Sequence, residues 1–138
     1  MFLDALNLEQ KEAFLKLAIK FIAVDNEIKQ AEKDLLEIMV LEMTVDEKSL
    51  DLRKNLKNNP EEDTETLLNV FKDKDSQQII LMQLYIIAYA DNKLAFEENN
   101  FIHLVMDHFG ISEEKANKLK NWVNKQGDLI SEIMEIWD

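Results

Sequence analysis

From Ile79 to Ala90 a single polar side chain, Gln83, interrupts an otherwise apolar run. A helix drawn through it has no face for water, and a helix apolar on all sides belongs inside a bundle or in a membrane. Twelve residues make about 18 Å of helix, well short of the roughly 20 residues that a bilayer requires. The run is therefore expected to be a core helix over about 77–90, capped by Ser76, with the rest of the chain wrapped around it.

That expectation narrows the fold class. A chain of 138 residues is most simply one domain, large enough to bury about two-thirds of its extended surface. With two glycines, one proline and no period-two alternation, it lacks the punctuation of β-structure. The fold class is all-α, with about seven helices.

Asn7 followed by Gln10 is a capping box. Phe14, Leu17, Ala18, Phe21 and Ile22 then recur at helical spacing, with Glu12 and Lys16 an i,i+4 pair on the wet side, and this helix should end near Asp25. A second helix is expected from Gln30 to about Met43, with Ala31, Leu35, Ile38 and Met39 as its inner stripe. Asp46, with Val45 and Leu50 as a hydrophobic staple, opens a third that frays into Lys57–Asn59. Asn59 and Pro60 suit the cap and first position of a short helix carrying Leu67, Leu68, Val70 and Phe71. Beyond the central helix, Phe96 begins another, with Phe101, Ile102, Leu104 and Val105 turned inward and Gly110 as its C′ residue. Ser112 caps the next, whose inner positions are Ala116, Leu119 and Val123. Gly127 reads as a second C′ glycine, leaving 128–138 as a separate closing helix. Leu129, Ile130, Ile133, Met134, Ile136 and Trp137 would pack that helix onto the bundle, since six apolar side chains are costly to leave wet. Docking into a groove on a partner is the other reading.

The net charge is −12, from 28 acidic and 16 basic side chains. Such a surface repels phosphate backbones and anionic lipid, which disfavours nucleic-acid partners and membrane attachment, and attracts cations or a basic protein. Without cysteine there is no disulfide, thiolate metal site or cysteine nucleophile. The opening Met1–Leu6 has neither a basic region nor a long apolar stretch and does not read as a signal peptide, so a cytoplasmic location is expected.

An offset of 66 residues superposes Leu15–Leu50 on Leu81–Ala116 without a gap. Asp25/Asp91, Asn26/Asn92 and Glu32/Glu98 are identical, and apolar classes match at Leu35/Phe101, Leu36/Ile102, Met39/Val105 and Val45/Ile111. Two similar three-helix units explain this, one over about 8–57 and the other over about 76–125. The corners Ala23-Val-Asp-Asn-Glu-Ile-Lys-Gln-Ala-Glu32 and Tyr89-Ala-Asp-Asn-Lys-Leu-Ala-Phe-Glu-Glu98 resemble the helix–Ala-Asp-Gly-x-Ile-x-x-x-Glu–helix pattern of the TerB-like (tellurite resistance) family. The resemblance covers roughly 8–125. It implies a compact helical domain active in stress response or as a scaffold. Four acids, Asp25, Glu32, Asp91 and Glu98, would then engage a divalent cation, calcium or similar. Relatives in membrane-anchored J-domain co-chaperones imply an interaction module, with a protein as the partner. Both copies depart from the pattern. Asn26 and Asn92 stand where the family has Gly, a change the left-handed turn tolerates. Lys29 and Ala95, at the helix openings, are poor N-caps.

Two readings of the acids stand side by side. Glu32 and Glu98 near the third helical position can satisfy free amides and complement the dipole, and Asp25 and Asp91 can reach the next helix's amides. Alternatively the four hold an ion. Set on a twelve-residue calcium-binding loop, Asp25 and Glu32 fall at its positions 5 and 12. Its opening positions would be Phe21 and Ala23, or Ile87 and Tyr89 in the second copy, which offer no side-chain oxygen. Neither loop suffices alone, so an ion would need both. His103 and His108 are splayed to different sides of their helix, and with Asp107 they could at most start a transition-metal site. Tyr85 and Tyr89 share a face as core rings. No nucleophile–base pair or phosphate loop stands out, so an enzyme is not expected; a hydrolase using the four carboxylates is the remote reading. A metal-free interaction module with an acidic surface for a basic partner is the main alternative to the cation-binding domain.

Overall fold

The computed structural model describes residues 2–24, 30–43, 61–90 and 94–137. Within them lie a 3₁₀ turn, Leu3–Ala5, and six α-helices: α1 (Leu8–Ile22), α2 (Gln30–Met43), α3 (Thr64–Leu68), α4 (Lys74–Ala88), α5 (Phe96–Phe109) and α6 (Glu113–Trp137). No strand occurs among the described residues, and no described helix is long and apolar enough to cross a membrane. The third helix expected from Asp46, the Asn59–Pro60 start and the corner residues 25–29 and 91–93 fall outside the described residues.

Adding 66 to the bounds of α1 gives those of α4, and adding 66 to those of α2 gives those of α5. The buried faces follow the same rule. Phe14, Leu15, Leu17, Ala18, Phe21 and Ile22 of α1 match Ile80, Leu81, Gln83, Leu84, Ile87 and Ala88 of α4, all of them buried. The offset of 66 thus holds for the bounds of these two helix pairs and for the buried positions of α1 and α4. It also means that α4 shares the centre with α1: α4 packs on α1, α2, α5 and α6, and α1 on α2, α3, α4 and α5. No residue of Ile79–Ala90 is exposed. The 3₁₀ turn buries Leu3 and Leu6 and rests on α2.

The helix ends follow from local chemistry. Asn7 and Gln10 form the expected box: Gln10 N–H donates to Asn7 Oδ1 at 2.8 Å and Asn7 N–H to Gln10 Oε1 at 3.0 Å. Lys16 does not serve as a local partner for Glu12; its ammonium reaches Glu62 Oε1 at 2.7 Å and ties α1 to the segment before α3. The cap of α3 is Asp63, which accepts from Thr66 N–H at 2.8 Å. The cap of α4 is Asp73 and not Ser76. Ser76 sits at the third position of the helix and donates to Asp73 through its amide at 3.0 Å and its hydroxyl at 2.7 Å. A carboxylate out-competes a hydroxyl as acceptor for free helix amides. Ser112 caps α6 as expected, taking the Lys115 amide at 3.2 Å.

Two inner stripes turned out rotated. In α2 the buried residues are Glu32, Leu36, Met39, Val40 and Met43, while Ile38 is 59 % exposed. In α5 they are Glu98, Ile102, Val105 and Met106, while Leu104 is 50 % exposed. Reading Glu as a wet residue displaces the stripe by one position, because in both helices a glutamate lies on the inner line.

The two glycines behave oppositely. Gly110 ends α5 at φ 68°, its amide donating to Asp107 O at 3.3 Å and that of Ile111 to Met106 O at 2.9 Å, a Schellman closure. Gly127 closes nothing: α6 runs through it without a break, so 128–138 is not a separate closing helix, and the six apolar side chains predicted to pack are exposed. A lone glycine costs a helix only about 1 kcal/mol, too little to stop one flanked by good helix formers. Gly110→Ala should therefore lower stability by about 1 kcal/mol through the left-handed strain. Gly127→Ala, whose added Cβ meets nothing within 4 Å, should raise helical stability by about the same amount. Urea unfolding followed by circular dichroism checks the opposite signs.

Candidate functional site

Glu32 and Glu98 occupy the third position of α2 and α5, and each is 2 % exposed. Among the described residues they are the two buried carboxylates. Glu98 Oε1 accepts the Ala95 amide at 3.1 Å, the return half of a capping box whose outgoing half Ala95 has no oxygen to make. Capping alone does not demand such burial: Gln10 performs it for α1 while only half-buried and uncharged. A carboxylate taken out of water must be compensated by hydrogen bonds or by a cation. Asp25 and Asp91, the other two candidates, lie outside the described residues. Among the described residues no three His, Cys, Asp or Glu come together as a metal site. Any cation at Glu32 or Glu98 would therefore need donors from outside the described residues.

The remaining candidates are dispersed. His108 Nε2 lies 2.9 Å from Asn69 Oδ1 beside α3, with its ring edge-on to Phe109. His103 instead faces α6 across a cavity of about 190 Å³ that Tyr85, Asn99, Met106 and Lys120 also line. The two imidazoles serve different interfaces, as their spacing suggested. Burial pushes the pKa of the Tyr85 phenol above its ordinary value, with the nearby Tyr89 adding to the effect, so the ring stays neutral and acts as core. Tyr89 lines a second and wider groove of about 400 Å³ with Ile86, Val123, Gly127 and Ile130.

Titration behaviour tracks the caps. The Ser76 hydroxyl, then its amide, hold the Asp73 carboxyl below its usual range; Thr66 does the same for Asp63, and the Lys16 ammonium for Glu62. None of these groups belongs to the repeated corners. Sequence reasoning missed the polar cavity at Tyr85, because its lining comes from three helices and has no local signature. It also missed the continuity of α6, although the steps Ala116, Leu119, Val123, Gln126, Ile130, Ile133 and Trp137 alternate three and four residues without a break.

No curated protein and no solved structure matches the chain at a significant level. The family described as "Tellurite resistance protein TerB" matches residues 11–121, a span holding both repeated corners and most of the helical core. With that match over most of its length, this all-helical chain belongs to the TerB family.

Proposed function

We propose that this TerB domain is a non-catalytic cytoplasmic stress-response or scaffold domain in which Asp25, Glu32, Asp91 and Glu98 engage a divalent cation. One observation carries the reading: the two described carboxylates are buried alike, at the same helical position of both units. An all-oxygen donor set suits a hard ion such as calcium, which wants six to eight oxygens. Four carboxylates supply part of that shell; backbone carbonyls and water would supply the rest. Bound there, the ion draws two corners of like charge together, and because only the folded chain presents both, binding stabilises the fold.

Calorimetric titration with calcium, magnesium, manganese and zinc tests this. The expected result is saturable heat with one of the hard ions, lost in Asp25→Asn/Asp91→Asn and in Glu32→Gln/Glu98→Gln, with a rise in melting temperature only for the unmutated chain. No heat from any ion overturns the cation reading. The domain is then a metal-free interaction module whose acidic surface holds a basic protein, and capture of that protein should fall steeply as salt rises.

A further inference from the structure

The first half of α6 is built into the molecule, with Ala116 and Val123 buried and Leu119 and Trp122 partly covered. The second half is not. Leu129 and Ile130 are each 58 % exposed, Met134 55 %, Ile136 69 % and Trp137 75 %. They lie on the same stripe or beside it, while Asp128, Ser131, Glu132 and Glu135 take the opposite side. A helix so divided is half of an interface.

We propose that the second half of α6 pairs with that of a second copy of this chain, antiparallel and about a two-fold axis near Ile130. Three features favour that occupant. Together with Ile133, the exposed apolar side chains leave roughly 700 Å² open, above the few hundred Å² common on monomers and close to the ~800 Å² per partner of a stable interface. The groove lined by Ile86, Tyr89, Val123 and Ile130 opens at the base of the same helix, so each copy carries both an apolar projection and a recess for one. A two-fold arrangement then closes on itself. Finally, charge along α6 is uneven: after Glu113 and Glu114 its first part carries Lys115, Lys118, Lys120 and Lys125, and beyond Lys125 every charged residue is acidic. Antiparallel packing sets the acidic tail of one copy along the lysine-bearing part of α6 in the other. A lipid surface would meet the same face with an acidic rim. The proposal is independent of the cation.

Sedimentation of the full chain at tens of micromolar should give twice 16.2 kDa. Ile133→Asp and Trp137→Ser should each raise the dissociation constant about thirtyfold or more, as for central interface residues. Helical circular dichroism of the resulting monomers should be retained, because neither side chain supports the core. Lys125→Glu, which removes a positive charge facing the acidic tail of the other copy, should weaken the dimer. A monomeric parent chain, a dimer indifferent to Ile133 and Trp137, a dimer unmoved by Lys125→Glu, or a monomer that floats with neutral phosphatidylcholine vesicles would each overturn the proposal.

Discussion

Phe21→Ala is expected to remove about 3–5 kcal/mol of stability. The ring is fully buried in α1 and meets the Phe101 ring of α5 edge-on, 5.3 Å between centroids at 64°. It therefore joins a central helix of one unit to the outer helix of the other. Truncation loses the transfer energy of the ring and leaves a hole that neither helix can close without disturbing its other contacts. Phe101→Ala should cost less, since its ring is only partly buried. A double-mutant cycle should return a coupling of about 0.5–1.5 kcal/mol for the ring pair. Denaturant unfolding of the four chains measures all three quantities; a loss below 2 kcal/mol for Phe21→Ala would mean the core is looser than the burial indicates.

Asp73→Ala should have the next largest effect, about 2 kcal/mol at neutral pH, the upper end for an N-cap. Asp73 takes the Ser76 amide and hydroxyl and also Gln10 Nε2 at 3.4 Å, so its loss frees the opening of α4 and a contact to α1. The pH dependence has a definite sign. The folded chain holds this carboxyl below its ordinary 3.8, so its contribution is fully present above that value and disappears as pH falls through the depressed folded one. The gap between parent and Asp73→Ala chains should be constant from pH 7 to about 5 and shrink only in stronger acid. A gap that widens in acid would contradict the hydrogen-bond pattern.

Much of this architecture is legible in the residues because it rests on local rules. The Asn7–Gln10 box, the bounds of α2, the start of α5 and the Gly110 closure depend on neighbours within one turn of helix. The offset of 66 carried through from sequence to backbone because it repeats a pattern of side-chain size. What could not be read depends on distant partners or on a choice between competing local signals. Glu32 and Glu98 look like surface residues until the fold buries them, and misreading them rotated two stripes. Asp73 outranked Ser76 because acceptor strength, not spacing, chose the cap. Gly127 misled because a glycine ends a helix only where the next residues gain by leaving it, and here Asp128 to Trp137 continue the same periodicity. Of the four acids proposed as a site, burial was the missing datum for two.

The equal lengths of the paired helices have a consequence for how this chain can vary. Seven residues separate α1 from α2, and seven separate α4 from α5. One residue more in either link would turn the following helix about 100° on its axis, so that the inner place of Glu32 would pass to Ala31 and that of Glu98 to Glu97. The two short links act as rulers that keep each half in step with the other.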